Sequence, residues 1–202
     1  MLAGPNGAGK SSLGGATLRA LGADYFDPDE ATQRVLVSRP DLTLESANGL
    51  AWHQGRRLLE TAIRERLDYA FETTLGGTTI ARLLHGALDR GLEVRIWYVA
   101  LATADLHVER VRARVSRGGH DVAEAKIRER YDRSRRNLIE LLPRLTELKV
   151  LDNSPDRDPA RGRRPEPLLV LHAERGSIRE VCRLEEVPEW AKPIVVEALR
   201  IA

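Results

Sequence analysis

A glycine-rich segment near the start of the chain has the residue types and spacing of a phosphate-binding loop. It fits the pattern GxxxxGK[ST] at every fixed position, and its residues, with the serine that follows, are Gly4, Pro5, Asn6, Gly7, Ala8, Gly9, Lys10, Ser11 and Ser12. The glycines let successive backbone amides face an anion, and the positive end of the following helix adds to the attraction. Lys10 is predicted to reach the β- and γ-phosphates of a nucleotide, and Ser11 to ligate Mg²⁺.

Two aspartates stand where a proton acceptor for a substrate hydroxyl is expected. Asp27 and Asp29 follow a strand predicted over residues 23–26, and the carboxyl ends of strands in an open parallel sheet face the ligand crevice. An aspartate there can act as a general base or orient Mg²⁺ through water. The alternative is that these residues cap the helix that begins near Pro28, and we favour that alternative for Asp27 but not for Asp29.

A second acidic candidate lies in the segment Glu72-Thr73-Thr74. It directly follows the apolar residues 69–71, so Glu72 is expected at the same edge of the sheet. Its functional interpretation is hydrogen bonding to hydroxyl or amide groups of a substrate, with Thr74 assisting. The alternative is a structural glutamate whose hydrogen bonds are satisfied within the protein.

Nine arginines lie between positions 110 and 136, on either side of a Gly118-Gly119-His120 segment. Arg110, Arg114 and Arg117 recur at helical spacing and are therefore expected on one helix face. Two helices that meet at the diglycine could close over a transferred phosphoryl group and neutralise its charge. The alternative is a solvated helix surface on which neighbouring glutamates pair with the arginines.

Alternating strands and helices must position these residues. The predicted strands cover residues 23–26, 69–73, 92–101 and 149–151, and the predicted helices cover residues 11–21, 43–66, 78–90, 105–116 and 123–142. This alternation predicts an α/β protein, a three-layer fold with a central, mainly parallel sheet. Only three residues precede the glycine-rich loop, too few for a normal central strand. We therefore expect the native chain to begin further upstream and to supply that strand.

The composition changes after residue 152. Residues 153–167 hold four prolines and many charges, which predicts a connector loop. Beyond it, residues 168–173 and 177–184 are predicted to pair as a hairpin, and residues 188–201 to form a closing helix. We thus expect a core over residues 1–152 and a small hairpin-and-helix extension, residues 168–202, packed on it.

Composition excludes several classes of protein. The 202 residues are 42% hydrophobic and 31% charged, without an apolar run long enough for a membrane span or a secretory signal pattern. Cys182 is the single cysteine, which agrees with a reducing compartment, so we predict a cytoplasmic protein without a membrane partner. The net charge of +2 argues against a general nucleic-acid binder. Lysine occurs only at positions 10, 126, 149 and 192, so 28 of the 32 basic residues are arginine.

Four segments together resemble the zeta-toxin family of P-loop kinases, particularly the chromosomal zeta-like proteins. They are GPNGAGKSS, FDPDEAT, FETTLGG and ERVRARVSRGGHDVAEAKIRERYDRSRRNL, and the resemblance covers about residues 1–155. It implies a phosphotransferase fold that uses ATP and Mg²⁺. The characterised toxins phosphorylate a sugar hydroxyl of UDP-N-acetylglucosamine, and the resemblance also implies an antitoxin partner.

The resemblance also assigns roles to individual residues. It makes Lys10 the phosphate-binding lysine, Ser11 the Mg²⁺ ligand and Asp29 the catalytic base. Glu72 and Thr74 match the substrate-binding E-x-T segment, and His120 is placed with them in the substrate site. The phosphate-contacting arginines fall within residues 110–117, where we choose Arg114 and Arg117. The chain departs from the family at Thr73, where glycine is common, and in the tail after Asp152.

The expected function is transfer of the γ-phosphoryl group of ATP to a hydroxyl of a small molecule, with UDP-N-acetylglucosamine favoured. The first alternative is a kinase of another acceptor, such as an antibiotic, a sugar or a nucleoside. The second is a nucleotide-dependent switch or a nucleic-acid-binding protein that uses the arginine cluster.

Overall fold

The computed structural model describes residues 1–15, 25–154 and 166–202. Strands and helices alternate along most of this chain, as the sequence predicts. The strands in chain order are β1 Leu2–Ala3, β2 Tyr25–Phe26, β3 Ala70–Thr73, β4 Arg95–Ala100, β5 Glu147–Asp152, β6 Leu168–Glu174 and β7 Ser177–Val181. They form one sheet of seven strands in the order β2-β3-β1-β4-β5-β6-β7.

The five strands β2, β3, β1, β4 and β5 run parallel to one another. β6 pairs antiparallel with β5, and β7 pairs antiparallel with β6. The predicted α/β class with a mainly parallel central sheet is therefore confirmed. A two-residue strand occupies the centre of the sheet. Leu2 and Ala3 form it, pairing with Glu72 and Thr73 on one side and with Trp97 and Tyr98 on the other. Both residues are buried, and both neighbouring strands are longer. The expectation that the native chain begins further upstream stays a prediction.

Six α-helices accompany the sheet in the described residues. They are α1 Pro28–Ser38, α2 Leu44–Glu65, α3 Thr78–Asp89, α4 Ala104–Val115, α5 Glu124–Leu141 and α6 Lys192–Ile201. Side-chain oxygens cap three of them at the N-terminus: Asp27 caps α1, Thr43 caps α2 and Thr103 caps α4. The capping interpretation of Asp27 is thus confirmed.

Two predicted elements lie partly outside the described residues. Of the helix predicted over residues 11–21, the structure describes Ser11–Gly15, which form a π-helical turn after the glycine-rich loop. Of the strand predicted over residues 23–26, it describes Tyr25–Phe26. Most of the connector predicted over residues 153–167 also lies outside, since the description resumes at residue 166.

The C-terminal hairpin extends the same sheet. β6 pairs antiparallel with β5, and β7 pairs with β6 around a turn at Arg175 and Gly176. The second strand ends at Val181, before the predicted residue 184, because residues 184–186 form a short 3₁₀ turn. Helix α6 then packs against α5, and its Ile194 and Val195 join the main core.

The main core lies around β4 and β5, whose side chains Ile96, Tyr98, Leu148 and Val150 are almost completely buried. A separate small cluster joins α4 to α5 and consists of Val108, Val111 and Ile127. This pair of helices, which carries the arginine cluster, therefore has apolar packing of its own. None of the helices in the described residues combines the length and the hydropathy that crossing a membrane requires.

Candidate active site

The glycine-rich loop begins directly after β1 and lies against the ends of β4 and β5. Gly4 has φ +137°, and a Cβ atom there would lie 1.9 Å from the carbonyl oxygen of Val99. Gly9 has φ +84°, and its Cβ atom would lie 2.6 Å from Nδ2 of Asn153. Both positions therefore require glycine for two reasons, the left-handed backbone and the close approach of a neighbouring strand.

Three side chains from distant parts of the chain hold this loop. His107 Nδ1 lies 2.7 Å from the carbonyl oxygen of Asn6, and Asn153 Nδ2 donates to the carbonyl oxygen of Ala8 at 2.9 Å. Arg130 Nη1 donates to Oδ1 of Asn6, also at 2.9 Å. Sequence analysis missed His107 and Asn153, because neither belongs to a recognisable motif and both act on residues more than 100 positions away.

Lys10, Ser11 and Glu72 meet at the C-terminal end of the loop. Lys10 is buried, its Nζ donates to the carbonyl oxygens of Gly4 and Pro5 at 2.8 and 3.0 Å, and it lies 3.5 Å from Glu72 Oε1. Glu72 Oε2 accepts hydrogen bonds from the hydroxyls of Ser11, at 2.8 Å, and Tyr25, at 2.7 Å. The structure therefore brings Glu72 to the loop itself, as its place at the end of β3 predicts.

Two carboxylates of this region, the partly buried Glu72 and the buried Asp27, have opposite pKa shifts. Burial alone would raise the pKa of Glu72, but the charge of Lys10 and the hydrogen bonds from Tyr25 and Ser11 outweigh it and lower the pKa. For Asp27, burial and the negative charge of Glu72 raise the pKa, although the backbone amides of Asp29 and Glu30 oppose this shift. Glu72 is therefore held ionised beside Lys10, and the carboxyl of Asp27 feels its charge.

A second group of predicted residues meets beside α1. Arg114 Nη1 donates to Asp29 Oδ2 at 3.1 Å, and Arg114 Nη2 donates to the carbonyl oxygen of His120 at 2.7 Å. Nε2 of His120 accepts from Asn48 Nδ2 at 3.3 Å. In the described part of the chain, Nδ1 of His120 and Nε of Arg114 are buried without a hydrogen-bond partner.

An open pocket of about 470 Å³ adjoins this second group. Its lining comes from α1, α4 and the segment between α4 and α5, and comprises Asp29, Glu30, Thr32, Gln33, Arg34, Arg114, Gly119 and His120. The walls thus combine carboxylates, an amide, a hydroxyl and guanidinium groups. Such a set can donate and accept several hydrogen bonds at once.

Two predicted site residues join neither group. The Oγ1 atom of Thr74 accepts the backbone amide of Gly76 at 3.4 Å, which shapes the turn after β3. Arg117 lies exposed just beyond the end of α4, and its side chain makes no hydrogen bond or ion pair within the described residues. The structure therefore gives Thr74 a local structural contact and leaves Arg117 on the surface.

The residues of the loop suit a nucleotide with Mg²⁺. Lys10 supplies a buried ammonium group, Ser11 supplies a hydroxyl at the start of the helical turn, and the glycines supply backbone amides. Amides and an ammonium group bind phosphate oxygens, and a serine hydroxyl at this position of the motif is suited to Mg²⁺.

Comparison with known sequences identifies the family. The AAA domain family matches residues 1–138, which include the glycine-rich loop and all the predicted site residues. The chain belongs to the AAA domain family. An uncharacterized protein of Haemophilus influenzae is 30% identical over 132 residues, which cover 63% of this AAA domain chain and 88% of that protein.

Solved structures show which fold this AAA domain chain has. A chain of the AvrRxo1-ORF1:-ORF2 complex with ATP matches with a TM-score of 0.64 at 14% identity, over 98% of this chain and 62% of that chain. A chain of the PezAT chromosomal toxin–antitoxin system of Streptococcus pneumoniae matches with a TM-score of 0.54 at 13% identity, over 98% and 84%. The present chain thus spans less than two thirds of the AvrRxo1 chain. These likenesses, at 13–14% identity, show a P-loop kinase-like fold, whereas the finer resemblance to the zeta toxins stays a prediction.

Proposed function

We propose that the protein is an ATP-dependent phosphotransferase that moves the γ-phosphoryl group of ATP to a hydroxyl of a small molecule. One observation carries this proposal. The predicted phosphate-binding residues Lys10 and Ser11 both contact Glu72. The predicted base Asp29 lies with Arg114 at a separate polar pocket. Asp27 and Glu72, whose charges interact, connect the two groups.

The loop and its partners would bind the nucleotide. Lys10 reaches the β- and γ-phosphates when its ammonium group exchanges the carbonyls of Gly4 and Pro5 for phosphate oxygens. Bound Mg²⁺ would neutralise part of the charge on those oxygens. Ser11 is the residue that would ligate it, and Glu72 would orient the Ser11 hydroxyl by accepting its hydrogen bond. The contacts of Glu72 therefore favour a place beside the metal in addition to its predicted role toward the acceptor.

Asp29 would accept the proton of the acceptor hydroxyl, and Arg114 would bind the transferred phosphoryl group. In this structure the two side chains pair with each other, and both are partly exposed, so the ion pair is weak enough to exchange. A phosphoryl group that draws Arg114 to itself leaves Asp29 Oδ2 free for the hydroxyl. Removing an arginine that stabilises such a transition state costs on the order of 10³-fold in rate.

For the acceptor we propose a polyhydroxylated molecule, with UDP-N-acetylglucosamine favoured. The pocket beside Asp29 supports this choice, because Gln33 and His120 offer hydrogen bonds that sugar hydroxyls require. The preference for UDP-N-acetylglucosamine over another sugar, an antibiotic or a nucleoside rests on the resemblance to the zeta toxins. We further propose that the protein acts in the cytoplasm.

The direct test incubates the protein with ATP, Mg²⁺ and UDP-N-acetylglucosamine and measures the mass of the product. Transfer adds about 80 Da, the mass of one phosphoryl group. Asp29→Asn should abolish product formation, whereas Asp41→Asn should not, since Asp41 pairs with Arg39 on the surface beyond the C-terminal end of α1. If neither this acceptor nor a panel of other hydroxyl compounds gains mass, the proposed activity is wrong. Slow ATP hydrolysis without an acceptor would favour a nucleotide-dependent switch.

We also propose an antitoxin partner, because two structural neighbours come from a two-component complex and a toxin–antitoxin system. Expression of the wild-type protein should then slow bacterial growth, and Lys10→Ala should remove the effect. Equal growth with the wild type and with the Lys10→Ala variant would contradict toxicity. Rescue by a co-expressed neighbouring gene product would identify the partner.

A further inference from the structure

His107 is a buried histidine between the glycine-rich loop and the end of β4. Its Nε2 accepts the backbone amide of Leu101 at 3.1 Å, and its Nδ1 lies 2.7 Å from the carbonyl oxygen of Asn6. Because a backbone amide only donates, Nε2 carries no proton in this arrangement. Nδ1 must therefore carry the proton and donate a hydrogen bond to the carbonyl oxygen of Asn6. The two contacts thus define one tautomer of a neutral imidazole.

The surroundings of His107 stabilise this neutral form. The pKa of His107 is lowered to about 4, mainly by burial and also by the positive charges of Lys10 and Arg110, although the hydrogen bond to the Asn6 carbonyl opposes this shift. The ring also packs against the edge of Tyr131, with centroids 5.4 Å apart. At neutral pH, His107 is therefore a fixed donor to the loop and carries no charge of its own.

The hydrogen bond to the Asn6 carbonyl also fixes the direction of the next backbone amide, that of Gly7. The carbonyl of Asn6 and the amide of Gly7 belong to one planar trans peptide unit, so they point in opposite directions. A side chain that holds the carbonyl of Asn6 therefore also sets the direction of the Gly7 amide. Asn153 acts in the same way on Ala8, whose carbonyl it holds, and so sets the amide of Gly9. The Gly7 amide therefore points away from His107, and the Gly9 amide points away from the Asn153 side chain.

We propose that His107 is a positioning residue of the phosphate-binding loop, which aims the Gly7 amide at the nucleotide phosphates by holding the Asn6 carbonyl. The inference rests on the proposed nucleotide site but not on the acceptor. His107 also shares one face of α4 with Arg110 and Arg114, at spacings of three and seven residues. The same helix face thus orients the loop and reaches Asp29.

Two substitutions separate the contacts of His107. In His107→Asn, the amide group occupies the place of Nδ1 and can still donate to Asn6. In His107→Gln, the amide group occupies the place of Nε2 and retains only the contact with Leu101. His53→Gln serves as the matched control, because His53 is exposed on α2. For each variant we would measure the Kd for ATP with Mg²⁺ by calorimetry and the unfolding midpoint in urea.

We expect His107→Gln to weaken ATP binding about tenfold, the loss of one well-formed hydrogen bond. His107→Asn should remain within about threefold of the wild type, and His53→Gln should not change the Kd. A purely structural role predicts a different result, in which both His107 variants lose stability and the folded fraction of each binds ATP equally well. Equal Kd values for the two variants would therefore overturn the proposal.

An NMR measurement on the wild type decides the case in which His107→Gln does not fold. Addition of ATP should shift the ¹⁵N resonance of the Gly7 amide, and an unchanged resonance overturns the proposal. The outcome is distinct from that of the kinase assay. If the protein binds ATP but phosphorylates no acceptor, the proposed function fails and His107 is still tested. If the wild type binds no ATP, both are wrong.

Discussion

Replacing Gly9 with alanine tests how tightly Asn153, the residue directly after β5, holds the phosphate-binding loop. The new Cβ atom would lie 2.6 Å from Nδ2 of Asn153, a distance that forces the Asn153 side chain to move. That side chain is buried and donates to the carbonyl of Ala8 at 2.9 Å, so its movement breaks a buried hydrogen bond. The backbone adds a second cost, because Gly9 has φ +84°, which an alanine adopts only with strain.

The two costs give the expected magnitude. Left-handed backbone strain costs about 1–2 kcal/mol, and a buried carbonyl that loses its donor costs about 1–2 kcal/mol more. We therefore expect Gly9→Ala to lower the free energy of unfolding by about 2–4 kcal/mol. Gly86→Ala is the matched control. No atom lies within 4 Å of its added Cβ, and a helical glycine replaced by alanine should stabilise the protein by roughly 0.5–1 kcal/mol.

A double-mutant cycle in urea at pH 7 separates the steric cost from the backbone cost. Asn153→Ala alone should lower the free energy of unfolding by about 1–2 kcal/mol, because it removes the same hydrogen bond. The double variant should cost little more than Gly9→Ala alone, which gives a coupling free energy of about 1–2 kcal/mol. Strict additivity of the two single effects would refute the claim that the loop and Asn153 compete for the same space.

Two further predictions concern charge. The pKa of His107 is lowered from an ordinary 6.5 to about 4, so its neutral form stabilises the fold above pH 6.5, and this stability is lost as the pH falls to about 4. The loss in the free energy of unfolding reaches at most about 3 kcal/mol. The urea midpoint of His107→Gln should therefore fall less steeply with falling pH than that of the wild type. Parallel curves for the two proteins would contradict the assignment. Glu72→Gln removes the negative charge beside Lys10 and should tighten ATP binding in the absence of Mg²⁺ about tenfold. Calorimetry with EDTA checks this, and an unchanged Kd would show that Glu72 does not face the phosphates.

Local patterns predicted much of this molecule. The glycine-rich loop, the strand that contains Glu72 and the helix that Asp27 caps are each specified within about ten residues, and the structure contains all three. The sheet class follows from the same alternation of strands and helices. The short β1 was not predictable, because its strand geometry comes from pairing with β3 and β4, and its own two residues do not specify it.

The contacts within the candidate site depend on long-range folding, and the sequence does not contain them as a pattern. Glu72 was predicted at the right edge, but its partner Ser11 is 61 positions away. The arginines at 110, 114 and 117 were predicted on one face, yet only Arg114 reaches Asp29, because the turn at Gly118 leaves Arg117 beyond the helix end. Nothing in the local sequence distinguishes His107 from other helical histidines, because its contacts with Asn6 and Leu101 form only in the folded chain.

Contacts of long sequence separation also govern when the phosphate-binding loop can form during folding. The loop accepts hydrogen bonds from donors that lie 101, 124 and 145 positions away, at His107, Arg130 and Asn153. Contacts of such long sequence separation form slowly, because the intervening chain must first be ordered. The loop therefore adopts its binding geometry only after β4, β5, α4 and α5 have assembled. If the loop binds nucleotide as proposed, we therefore expect affinity for ATP to appear late in refolding, after these elements have assembled.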